Sequence, residues 1–156
     1  NGSQNNKFIL NQPNYKNSKI LVTGKNFGCG SSREHAVWAL KDFGIKCLIG
    51  TEFADIFYNN CFKNGVLAII LDSKKVEKII KIVSSSKNSE LEIDLESQTV
   101  KTKQNEIINF DILPYLKRNL LEGVDDISKT LEKKKLIDEY EFDMKKKYPW
   151  LEKKNG

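Results

Sequence analysis

One histidine, two arginines, three prolines and three cysteines in 156 residues leave little material for several common kinds of site. His35 has no second histidine with which to share a metal ion, and no partners for a nucleophile–histidine–acid triad are evident around it. An orienting or helix-surface role suits it better than that of a base. Cys29, Cys47 and Cys61 are odd in number and contain no Cys-x-x-Cys pair. A disulfide framework is therefore not expected, which favours a reducing, cytoplasmic setting. A metal or iron–sulfur site made by this chain alone is not expected either, since clusters usually need four thiolates. No apolar run approaches the roughly 20 residues needed to cross a bilayer. The polar start, Asn1 to Lys7, has neither the charge pattern nor the apolar stretch of a secretory leader.

What is present is mostly lysine, asparagine and isoleucine. The formal net charge is +5, but of 26 basic residues only Arg33 and Arg118 are arginine. The lysines are mixed with acids and recur on periodic segments such as Lys74 to Lys81. A solvated face explains them better than a stripe that tracks phosphates. The basic groove with interleaved aromatics used by single-strand binders is not apparent, so no nucleic-acid partner is expected, and no membrane.

The first half alternates strand-like and helix-like segments. Residues 19–23 read as a strand, 32–43 as a helix ending at Gly44, and 46–49 as a second strand. A second helix is expected over 52–63, carrying Phe53, Ile56, Phe57 and Cys61 on one face. Residues 66–71 form an almost continuously apolar third strand, as expected for one covered on both faces. A third helix begins at Ser73, with Val76, Ile79, Ile80 and Val83 facing inward. Beyond a polar loop at 84–88 come three short strands: Leu91 to Leu95, Thr99 to Thr102 and Ile107 to Phe110, with a turn at 103–105. Helices are expected over 112–121, with Pro114 in the first turn, and over 127–147, stopped by Pro149. The whole reads as one α/β domain, residues 1–156, with a frayed lysine-rich tail at 145–156.

Chemistry concentrates between the first strand and the first helix. Gly24, Gly28 and Gly30 permit a tight turn and close backbone approach to a ligand. The helix start that follows favours an anion by about 0.3–1 kcal/mol. Arg33 could grip a carboxylate with two parallel bonds. In a chain that otherwise uses lysine almost everywhere, an arginine there suggests that its fork is needed. A purely structural role remains open, because Ser31-x-x-Glu34 has the form of a capping box. Two nucleotide readings fit less well: a P-loop needs a lysine before its hydroxyl residue, and in a dinucleotide fingerprint a third glycine would stand at Arg33.

The run Asn26-Phe27-Gly28-Cys29-Gly30-Ser31-Ser32-Arg33-Glu34-His35-Ala36 resembles the signature of the swivelling domain of the aconitase superfamily. With Cys29 and the following Val37 to Leu40, it resembles the small subunit of bacterial 3-isopropylmalate dehydratases. Two further blocks agree, Phe53 to Gly65 and Gly123 to Glu141, so the resemblance covers about residues 8–141. It implies a three-layer β/β/α swivelling domain with C-terminal helices, docking on a separate large subunit that carries a four-iron four-sulfur cluster. It implies interconversion of 2- and 3-isopropylmalate, small dicarboxylates, by dehydration and rehydration in leucine biosynthesis. By the same resemblance Ser31 is the base and Ser32 and Arg33 hold substrate carboxylate. Gly28, Cys29, Gly30, Glu34 and His35 support the loop and helix start. No cofactor is expected on this chain itself.

One departure stands out. Family members begin with a strand bearing an Asp-Thr-Asp-x-Ile-Ile-Pro-like motif, and nothing like it precedes Asn11-Gln12-Pro13. The expectation is an N-terminally shortened domain. Two rivals stay open from sequence: the small subunit of a related hydro-lyase, of homoaconitase or methylmalate type, and a non-catalytic anion-binding α/β module.

Overall fold

The computed structural model describes residues 5–85, 90–123 and 133–151. Packing divides the chain into two compact units, residues 1–123 and 124–156.

The first unit is built on a parallel sheet of β1 (Ile20–Val22), β2 (Cys47–Gly50) and β3 (Leu67–Ile70), in that order. The register pairs Ile20 with Cys47 and Cys47 with Leu67. Every residue of β2 is buried, which is why its sequence is an unbroken apolar run rather than an alternating one. Crossovers come from α1 (His35–Phe43) and α2 (Asp55–Lys63). Strands added in one direction by right-handed crossovers put both helices on one face, and α1 and α2 pack together. α3 (Ser73–Ser84) follows β3 and returns to pack against β1.

A second, antiparallel sheet of β4 (Leu91–Asp94), β5 (Thr99–Thr102) and β6 (Ile107–Asn109) follows, then α4 (Pro114–Glu122). Val100 and Ile108 share one core with Leu48, Ile49 and Ile69 of the parallel sheet, Val37 of α1, and Phe57 and Cys61 of α2. This is the expected β/β/α arrangement.

Helix ends follow local chemistry. Gly44, at φ 106°, ends α1 in a Schellman turn, with the Ile45 amide donating to the Leu40 carbonyl at 2.9 Å. Asp72 caps α3 by accepting from the Lys75 amide at 2.9 Å. Pro114 occupies the first turn of α4, where a missing N–H costs nothing. Arg118 lies within 4.0 Å of Glu122 one turn on, both exposed.

Several expectations need correction. α1 begins at His35 rather than Ser32, and α2 at Asp55 rather than Glu52. In both cases the chain before the helix stays extended or turned because it belongs to a βα loop. Ile56 is 54% exposed and Ile80 40% exposed, so neither faces the core. β4 stops at Asp94, whose carboxylate accepts from the Glu96 and Ser97 amides and turns the chain before Leu95.

In the second unit α5 spans Lys134–Lys147 and a 3-10 turn spans Pro149–Leu151. Lys133 has φ −95° and ψ 11°, so the expected helix over 127–147 does not pass through it. Residues 127–132 lie outside the described residues, as do 152–156 of the lysine-rich tail. Residues 145–147 form the last turn of α5, where Lys146 sits over the Phe142 ring at 4.3 Å.

Truncating a central strand should be far costlier than trimming the sheet's rim. Ile49→Ala is expected to lower unfolding free energy by about 2–5 kcal/mol. Ile70→Ala, at a side chain 47% exposed, should change it by less than about 0.5 kcal/mol. Urea denaturation midpoints measure both.

Candidate active site

The glycine-rich segment leaves the carboxyl end of β1 and lies beside the loop that leaves the carboxyl end of β2. Phe27 and Phe53 form a parallel bridge, and the Ala54 amide donates to the Phe27 carbonyl at 3.3 Å. This is the edge at which open parallel sheets bind ligands. Phe27 anchors the segment from within: its ring meets Phe57 edge-on at 5.6 Å and Phe53 at 6.5 Å. Gly28, at φ 88°, lies so close to Phe57 that a Cβ there would overlap the ring. Gly30 meets no such limit, with open space where a Cβ would stand.

From Gly28 the chain makes two tight turns. The Cys29 amide donates to the Asn26 carbonyl at 3.2 Å, and the Ser31 amide to the Gly28 carbonyl at 3.3 Å. The Ser31 hydroxyl oxygen accepts from the Arg33 amide at 3.1 Å. It does not reach the Glu34 amide, and Glu34 does not reach back, so the capping box does not form. Glu34 Oε1 instead accepts from Asn64 Nδ2 at 2.6 Å. Ser31 is half-buried, while Ser32, Arg33, His35 and Cys29 are exposed. Among the described residues the Arg33 guanidinium makes no ion pair. The His35 ring lies on Trp38, centroids 4.5 Å apart. Ser31, Ser32, Arg33 and Glu34 are thus brought together ahead of α1, with His35 on its first turn.

The remaining cysteines stand apart from this chemistry. Cys47 and Cys61 are buried, and burial pushes each thiol up to about 12. They behave as small apolar side chains, as expected. Among the described residues no three His, Cys, Asp or Glu side chains converge. Two buried thiols with no third ligating side chain beside them do not supply the set that an iron–sulfur cluster needs. Among the described residues no helix is long and apolar enough to cross a membrane.

The aconitase C-terminal domain family matches residues 1–74, which include the whole glycine-rich segment. A 3-isopropylmalate dehydratase small subunit from Azorhizobium caulinodans is 54% identical over 150 residues, covering 96% of this chain and 75% of that protein. The chain belongs to the 3-isopropylmalate dehydratase small-subunit family. A second member of that family, from Xanthobacter autotrophicus, is 52% identical over 150 residues, with 96% and 75% covered. A crystal structure of 3-isopropylmalate dehydratase from Methanocaldococcus jannaschii superposes with a TM-score of 0.57 at 34% identity. It covers 78% of this chain and 68% of its own. Membership accounts for the three sequence blocks at once, two of which, around Phe27 and around Phe57, pack against each other.

Sequence reasoning passed over Asn64. It sits in the second block, at the end of α2, and its side chain touches the start of α1. An Asn-Gly pair closing a helix was the available signal, but it says nothing about a partner 30 residues away.

The burial of two thiols has a direct readout. One thiol, Cys29, should react quickly with Ellman's reagent in the native chain, and Cys47 and Cys61 only after denaturation. Three fast-reacting thiols would contradict the packing described.

Proposed function

We propose that this chain serves as the small subunit of a 3-isopropylmalate dehydratase. Together with a separate large subunit it interconverts 2-isopropylmalate and 3-isopropylmalate by dehydration and rehydration in leucine biosynthesis. The observation that carries the reading is the presentation of Ser31, Ser32 and Arg33 at the carboxyl edge of the parallel sheet, ahead of α1. A four-iron four-sulfur cluster, assigned to the large subunit, supplies Lewis acidity toward the departing hydroxyl. Three unpaired thiols suit a reducing, cytoplasmic setting.

Ser31 is assigned as the base. Its oxygen takes the proton from the carbon next to a substrate carboxylate as water leaves, and returns it on rehydration. A serine oxygen is a poor proton acceptor near neutral pH unless its charged form is stabilised. The Arg33 backbone N–H, which donates to that oxygen at 3.1 Å, favours its charged form before the proton is taken. The positive end of α1 adds to it. Ser32 and Arg33 hold the carboxylates, Arg33 by its planar fork. All three groups lie on an open face of the chain, which cannot by itself exclude water. A second subunit as the opposite wall follows naturally.

Full-length small subunit mixed with its large subunit should turn over isopropylmalate, and neither alone should. Ser31→Ala should abolish nearly all turnover in that mixture while costing only about 0.5–1.5 kcal/mol of stability, the worth of one hydrogen bond. Loss of the fold instead would make Ser31 a structural residue. Arg33→Lys keeps the charge and loses the fork, so kcat/KM should fall at least about tenfold. Wild-type kinetics in that variant would remove Arg33 from substrate binding.

A further inference from the structure

α2 holds the catalytic segment at both ends. Phe57, on its first turn, packs against Phe27 and Gly28 where the segment begins. Asn64, the residue just past its end, reaches Glu34 where the segment ends and α1 starts. The Asn64 side chain uses both its polar atoms. Nδ2 donates to Glu34 Oε1 at 2.6 Å and to the Asn60 carbonyl at 2.8 Å, and Oδ1 accepts from Trp38 Nε1 at 3.0 Å. Its backbone is set by a Schellman turn: Gly65 stands at φ 72°, its amide donates to Phe62 at 3.2 Å, and the Val66 amide donates to Cys61 at 2.8 Å. Cys61 and Val66 are fully buried, so the base from which Asn64 projects is part of the core. The contacts at Glu34 and Trp38 are one helical turn apart on α1, so they fix both its position and its rotation.

We infer that Asn64 is a positioning residue for the reaction, setting through Glu34 and Trp38 where Ser31 and Arg33 stand relative to the end of α1. The inference rests on the proposed roles of Ser31 and Arg33. The Ser31–Glu34 box is not made, and no side chain caps the start of α1. Glu34 is free to serve as the handle, and its carboxylate is held from a different helix by an amide. A charge-assisted bond with the partner's geometry preset is the kind that gives registry rather than bulk stability. Small displacements of a catalytic group cost rate out of proportion to their energy, since reaction needs the attacking atoms aligned.

The test uses the full-length small subunit reconstituted with its large subunit. Asn64→Ala is expected to lower kcat at least tenfold while the melting temperature of the small subunit stays within a few degrees. In a Trp150→Phe background the emission of Trp38 should shift, because its indole N–H loses its acceptor. Glu34→Ala is expected to lower kcat similarly, and the double variant to be no worse than the poorer single one, since both remove the same link. Asn64→Asp keeps the acceptor for Trp38 and places a carboxylate against Glu34, so it should show the kcat loss even if Asn64→Ala folds poorly. Wild-type kcat in a folded Asn64 variant, or losses that multiply in the double variant, would overturn the positioning role. Unfolding of both Asn64 variants would also overturn it, making Asn64 structural. If Ser31→Ala kept full turnover, the base assignment would fail instead, a result separable from any outcome at Asn64.

Discussion

Everything in the first unit of this molecule depends on the burial of β2 between two parallel neighbours. A strand with no exposed face and no free edge has nowhere to slip, so the register on both sides is set by the core. Parallel pairing then forces each connection to cross the sheet through a helix, and brings the loops after β1 and β2 to the same edge. The Phe27–Phe53 bridge is the consequence: two loops that need not have met are packed together. The opposite edge of the sheet shows the contrast. Among the described residues β1 pairs with β2 alone, and a cleft of about 630 Å³ is lined by Leu10, Tyr15, Ile20, Val22 and Ile80. None of the glycine-rich segment lines that cleft.

Within the segment, the Ser31 oxygen faces two competing uses, capping a helix and the base role proposed above. A serine that caps a helix spends its hydroxyl on the helix, whereas a base must keep it available. Here Ser31 accepts from the Arg33 amide, two residues on, and leaves the start of α1 to Glu34. The same hydroxyl donates to the Arg33 carbonyl at 3.5 Å, so both of its hydrogen bonds stay within the turn. α1 starts three residues later than its sequence suggests, and Asn64 at the end of α2 donates to the Glu34 side chain just before it.

Burial separates the cysteines in the same way. Two are deep enough that their thiols stay protonated across the physiological range, and the third is on the surface of the segment. Sequence spacing could show that the three do not make a ligand set, and hydrophobic neighbours could show that Cys47 is buried. Neither could show that Cys61 also closes the Schellman turn from which Asn64 projects.

Local patterns were sufficient for most of the fold. The apolar runs at 46–49 and 66–71, the glycines at 44 and 65 and the alternation of Leu91 with Glu92 are short-range signals, read within a few residues of where they act. The candidate site residues from Gly28 to His35 were legible for the same reason, as one unbroken run. The starts of α1 and α2 were not, because whether Ser32 or Glu52 begins a helix depends on what the preceding loop packs against. The exposure of Ile56 and Ile80 was missed because a helix's apolar stripe does not say how much of it a neighbour covers. Sequence by itself determined the strands, the order of the elements and the chemical groups available. Only tertiary structure decided that Glu34 answers to Asn64 rather than to Ser31, because a hydrogen bond across 30 residues exists only after two helices have packed.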